Sequence, residues 1–173
     1  APKSAKIYKD LWTETGSPII YHTHDLCEKL KNVLGSDYHV EYAMRYKNPS
    51  LKKTLESWEG KNFKQIIILP LFPHYASATN GSVIEEAMDV MKKWWVIPEL
   101  SFVSQFYNEE FYLKGFEEKG NAHDFKEYDH ILFSFHGLPE RHVDKVYNDG
   151  LCKDNDCEHG INDENVYCYK ATC

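Results

Sequence analysis

An α/β fold with parallel strands is what this sequence predicts. Segments with apolar positions at helical spacing alternate with short hydrophobic runs, the order expected of strand-helix units. Residues 63–71 and 130–135 are near-continuously apolar, as strands covered on both faces are. Polar segments with unusual side chains follow the strands directly, where open α/β sheets bind ligands.

Taken in order, residues 3–12 place Ile7, Leu11 and Trp12 at helical spacing, and residues 18–34 do the same with Ile19, Leu26, Leu30, Val33 and Leu34. Gly16-Ser-Pro18 separates the two, with Ser17 suited to an N-cap and Pro18 to the first helical position. Gly35-Ser-Asp37 ends the second helix, and residues 38–45 read as a strand. Ser50 caps a third helix reaching about Trp58. The run 63–71 is stopped by Pro70 and Pro73, and a polar loop, 74–81, leads to a helix over 82–94. A short strand at 100–103, a helix at 108–120 and the strand 130–135 complete the alternation. Pro98 marks a domain boundary, and no internal repeat or low-complexity tract is visible.

Composition narrows the class. Of 173 residues, 42% are hydrophobic and 27% charged, as in globular proteins, so disorder is not expected. A net charge of −7 with no basic run argues against nucleic-acid binding. The longest strongly apolar stretch, 66–72, is too short to span a bilayer, and the first six residues lack the apolar core of a secretory signal. A start without methionine and an end at Cys173, inside an unfinished motif, read as cuts in a longer chain. Twelve tyrosines supply flat amphipathic surface for a core or for a planar ligand.

Three segments fall at predicted strand ends: 45–49, 74–79 and 136–140. Together they outline one cleft lined by an Arg, a Tyr, small hydroxyl residues and a His. His136 follows a strand and precedes Gly137, so its imidazole is placed to act as a base or a metal ligand. The plainer reading is a histidine that bonds a nearby carbonyl and holds the turn. His74 reads as a hydrogen-bonded structural residue, His142 as solvent-facing and Cys27 as a small buried hydrophobe.

The run Ser134-Phe-His-Gly-Leu-Pro-Glu-Arg141 resembles the ferrochelatase signature. The resemblance extends to Leu69-Pro-Leu-Phe-Pro-His-Tyr-Ala-Ser-Ala-Thr-Asn-Gly-Ser82, to Met44-Arg-Tyr-Lys-Asn-Pro49 and to Trp12-Thr-Glu-Thr-Gly-Ser-Pro18. Four motifs in register cover essentially the whole chain. The resemblance implies two doubly wound, Rossmann-like chelatase domains with parallel sheets, incomplete here: 1–97 from the first and 98–173 from the second. It implies insertion of Fe(II) into a porphyrin, protoporphyrin IX before coproporphyrin, in cytoplasmic haem synthesis. Peripheral membrane association also enters through the resemblance, without support from the acidic charge; the oligomeric state is left open. His136 matches the family's active-site histidine, assigned to metal delivery or to taking a pyrrole proton. Arg45 matches a pocket arginine that would pair with a propionate, Tyr75 a pocket tyrosine, and Ser77 and Thr79 further propionate or backbone contacts. Their plainer roles are a surface ion pair for Arg45 and loop packing for Tyr75. The family's opening strand-turn and its C-terminal half, with the acidic partner of His136, have no counterpart here. The 173-residue chain alone is therefore expected to be inactive. A cobalt or nickel tetrapyrrole chelatase, and a non-catalytic Fe–S or porphyrin-binding module, are the rival readings.

Cys152, Cys157, Cys168 and Cys173 cluster in a segment over 152–173. Paired short spacings suit a four-thiolate Fe–S site, with zinc the competing occupant and a disulfide or no metal as further alternatives. Some bacterial ferrochelatases carry a similar internal cluster that binds [2Fe-2S], which the resemblance implies here as cofactor. Others place one cysteine in the loop after the pocket tyrosine, where this chain has Ser77.

Overall fold

The structure, a computed structural model, describes residues 2–152, 157 and 160–173. The remainder of the cysteine-rich segment, at 153–156 and 158–159, lies outside the described residues. The chain forms two compact units, Ala1–Trp58 and Glu59–Cys173.

The first unit holds helices α1 (Pro2–Leu11), α2 (Pro18–Leu34) and α3 (Leu51–Glu56). Pro18 opens α2 as expected, and Ser17 occupies the N-cap with extended backbone, although its side chain makes no capping bond. Gly35 ends α2 at φ 73°, a left-handed value that glycine adopts freely, and its N–H bonds the Lys31 carbonyl. Ser50 caps α3 by accepting from the Lys53 N–H at 3.2 Å. Cys27, Leu51 and Leu55 are buried, and the Cys27 thiol points to the Val40 carbonyl at 3.7 Å. The strand expected over 38–45 does not form. Only Met44 pairs, in an isolated bridge with Ser50 across the turn that holds the cis Asn48-Pro49 bond. A strand exists through its neighbour's hydrogen bonds, and the rest of this segment has no ladder among the described residues.

The second unit contains β1 (Gln65–Ile68), a π-helical turn (Ser77–Gly81), α4 (Ser82–Met91), β2 (Glu99–Phe102), α5 (Glu110–Gly120), a 3-10 turn (Phe125–Glu127), α6 (Glu140–Asp144) and α7 (Tyr169–Thr172). Strands β1 and β2 pair in parallel with Ile66 opposite Leu100, joined by α4 as a β-α-β crossover. Ala87, Val90 and Met91 of α4, Trp94 after it and Ile66 are buried. The α/β class therefore stands, with a small parallel sheet.

Two further expectations about the strands need correction. Burial of 63–71 on both faces is not met, because Ile66 is 3% exposed but Ile67 is 55% exposed, so one face of β1 is open. Residues 130–135 form no ladder among the described residues, and Leu132 is 90% exposed. The reason is the same in both places: apolar sequence favours a strand, but a ladder needs a hydrogen-bonding edge beside it.

Candidate functional site

The second unit gathers chain ends around His74. This residue follows β1 and the Pro70 and Pro73 that stop it. Its ring stacks on Tyr107, beyond β2, with centroids 5.5 Å apart and planes 18° apart. Three further rings meet it edge-on: Tyr112 of α5 at 6.4 Å, Phe135 at 5.6 Å and Tyr169 of α7 at 5.8 Å. Edge-to-face pairs add about 0.5–1.5 kcal/mol each beyond area burial. The His74 Nδ1 lies 3.3 Å from the Thr172 hydroxyl. Burial pulls the His74 pKa below its ordinary value, with a hydrogen bond to the Thr172 backbone opposing that shift.

His136 comes next after Phe135, so the His74 and His136 turns adjoin. The His136 side chain is exposed, and its backbone amide faces the Tyr169 hydroxyl. That hydroxyl is held above the ordinary tyrosine range by burial and by the Cys173 thiol, against the opposing pull of the His136 amide.

The loop after His74 is built on Asn80, which has no exposed surface. Its side-chain amide donates to the Phe72 carbonyl at 2.9 Å and the Ser104 carbonyl at 2.7 Å, tying the β1 exit to the β2 exit. The Asn80 Oδ1 accepts from the Thr79 hydroxyl at 2.9 Å. Thr79 also lies 3.2 Å from the Ala76 carbonyl, so its proton is committed inside the loop. Ser77 is exposed at the head of the π-helical turn. The Tyr75 ring meets Tyr167 edge-on at 5.5 Å. Its hydroxyl lies 3.0 Å from where a Cβ on Gly81 would stand, so a side chain at 81 would push that hydroxyl aside by a few tenths of an ångström. Arg45 belongs to the first unit, where its guanidinium lies 4.7 Å over the Tyr46 ring.

The four clustered cysteines are free thiols, so the disulfide alternative is not adopted. Cys168 is fully buried, Cys152 and Cys157 are partly covered and Cys173 is exposed. Cys152, Cys157 and Cys168 share a neighbour in Tyr147, whose hydroxyl is buried beside the Cys168 thiol. Burial raises the Tyr147 pKa well above the ordinary range, with Cys168, Cys152 and Cys157 adding to the rise. The donor chemistry suits an Fe–S cluster or zinc, but the spacing as it stands does not. Among the described residues, no three His, Cys, Asp or Glu groups are arranged to hold a metal ion.

His142 is also corrected. It is half-buried, with Nδ1 enclosed and without a partner, because α6 turns it inward instead of leaving it in solvent. The sequence reading of His74 as a hydrogen-bonded structural residue agrees with its contact to Thr172. It missed the ring cage, Asn80, Tyr147 and Thr172, for which the only signal was the high tyrosine content. Among the described residues, no helix is long and apolar enough to cross a membrane.

A family model described as Ferrochelatase matches residues 1–166. The chain is 39% identical over 173 residues to the ferrochelatase of Legionella pneumophila (strain Corby), covering 100% of this chain and 51% of that protein. It is 34% identical over 177 residues to the ferrochelatase of Coxiella burnetii (strain Dugway 5J108-111), covering 99% of this chain and 48% of that one. Against the ferrochelatase of Pseudomonas savastanoi pv. phaseolicola the figures are 35% identity over 173 residues, 99% and 51%. No solved structure matches. The chain spans about half the length of the curated relatives it matches.

Proposed function

The chain belongs to the ferrochelatase family, and from that premise we propose that the whole protein inserts Fe(II) into a porphyrin, protoporphyrin IX in the first instance, to form haem. The observation that carries the reading is the adjoining of the His136 turn to the aromatic cluster around His74. An exposed imidazole beside a wall of rings suits a planar, hydrophobic substrate that must also exchange protons.

Metallation replaces two pyrrole N–H protons with a dication. His136 is the group assigned to take a pyrrole proton or to hand over the metal, since an imidazole does either near neutral pH. Arg45 is assigned to a propionate, as a guanidinium forks naturally onto a carboxylate. Tyr75 is assigned to the pocket wall. Ser77, whose hydroxyl is exposed, and Thr79, whose proton already serves the loop, are assigned to a second carboxylate and to its supporting backbone. Residues 1–97 and 98–173 then belong to successive chelatase domains, acting in the cytoplasm with porphyrin exchanged at a membrane face.

The test is His136→Ala in the full-length protein under anaerobic conditions. Iron insertion should fall to background while porphyrin binding, read by fluorescence quenching, is retained. Unchanged insertion would remove His136 from the mechanism. Faster turnover with Co(II) or Ni(II) than with Fe(II) would move the protein to a related chelatase.

We further assign a [2Fe-2S] cluster to Cys152, Cys157, Cys168 and Cys173. Four free thiols, three of them sensed by one buried tyrosine, favour this second reading. Because the present spacing holds no metal, the sulfurs must close up on loading, and no catalytic step is routed through them. Anaerobically purified full-length protein should show charge-transfer absorption and, once reduced, a cluster EPR signal. Stoichiometric zinc without iron would replace the cluster with a zinc site.

A further inference from the structure

The cysteine segment does more than carry thiols: its last helical turn is docked on the strand-end site at two points. Thr172, 8% exposed, meets the His74 Nδ1, and Tyr169 packs edge-on against the same ring. The segment is tied down further by the Gln105 side-chain amide, which donates to the Val166 carbonyl at 3.1 Å. Asn165 has no exposed surface, and it braces the preceding turn by accepting from the Asn162 N–H at 2.8 Å and donating to the Gly160 carbonyl at 3.2 Å. A helical turn of four residues has little stability of its own, so these contacts place it.

The direction of the Thr172 bond follows from its second partner. The Thr172 hydroxyl lies 3.3 Å from the Tyr169 carbonyl, which can only accept, so a proton directed there leaves an oxygen lone pair for the ring. In that arrangement Nδ1 carries the ring proton toward Thr172 and Nε2 is left as the basic nitrogen. Burial favours the neutral ring in which this choice of nitrogen matters.

We infer that Thr172 is a positioning residue that fixes the His74 imidazole as its Nδ1–H tautomer, presenting Nε2 as a second basic nitrogen beside the His136 turn. The inference rests on the proposed iron-insertion site. Thr172 touches neither porphyrin nor iron; it acts through His74. Replacing its hydroxyl by a methyl leaves the fold's packing in place but removes the lone pair that selects the tautomer.

The experiment uses full-length protein with 15N-labelled histidine, as wild type, Thr172→Val and Thr172→Ser. Long-range 15N–1H correlation spectra distinguish the two neutral tautomers. Wild type and Thr172→Ser should show His74 as Nδ1–H, and Thr172→Val should shift it toward Nε2–H. Iron insertion by Thr172→Val should show kcat lowered about tenfold with the porphyrin KM essentially unchanged, and Thr172→Ser should restore it. An Nε2–H ring in wild type, an unchanged ring in Thr172→Val, or a shifted ring in Thr172→Ser each overturns the inference. Normal turnover in Thr172→Val despite a changed tautomer also overturns it, since His74 would then have no part in the reaction. If wild type inserts no iron, the proposed function fails while the spectra still decide which ring nitrogen of His74 carries the proton.

Discussion

Asn80 and His74 show how much a single side chain settles here. Asn80 donates to two carbonyls from two strand exits, and its replacement by Ala would take the donor from both of these partly buried acceptors. We expect Asn80→Ala to lower stability by about 2–4 kcal/mol, measured by urea denaturation, with Asp at least as damaging because a carboxylate cannot donate. His74 makes a prediction about pH. Its pKa is depressed in the fold, so below its ordinary 6.5 the unfolded chain binds a proton that the folded chain refuses. The stability that follows is present above pH 6.5 and is lost as pH falls toward the folded value. Thermal melts across that interval should therefore slope for wild type and flatten for His74→Gln; equal slopes would show that the ring titrates as in water.

At the scale of elements, β1 is asymmetric. Ile66 is buried, whereas Ile67 faces an open side. Ile66→Ala should cost about 2–4 kcal/mol and Ile67→Ala a small fraction of that in the 173-residue chain, compared by denaturant midpoint. The helices were the most legible elements, because apolar spacing, Ser50 and Pro18 are local signals that tertiary contacts need only accept. Helix α4 ends at Met91, three residues short of the expected stop at 94, since Lys93 and Trp94 bond back in tighter turns to Val90 and Met91. Strands fared worse. Residues 63–71 and 130–135 have similar apolar sequence, yet among the described residues only the first finds a neighbour, at β2. Nothing within either run reports whether an edge is waiting for it.

For the molecule as a whole, residues 130–135 form an exposed apolar stretch within the second unit, Glu59–Cys173. Leu132 and Phe133 are 90% and 74% exposed and unpaired among the described residues, a template for another chain's edge. The 173-residue chain should therefore self-associate. Leu132→Lys should shift it toward monomer in sedimentation velocity, and an unaltered distribution would place the association elsewhere.

The sequence by itself carried the family, the α/β class and the helices, and it named His136, Arg45, Tyr75, Ser77 and Thr79 as candidate groups. These rest on residue type and local order, which need no partner to be read. Only the tertiary structure decided that His74 sits in a cage of four rings, that Thr172 of the cysteine segment bonds it, and that Asn80 ties two exits together. His74 and Thr172 are 98 positions apart in the chain, and no periodicity connects them. Which nitrogen a histidine protonates, or which strand finds an edge, is set by the neighbour that folding brings, and a neighbour that distant leaves no local pattern.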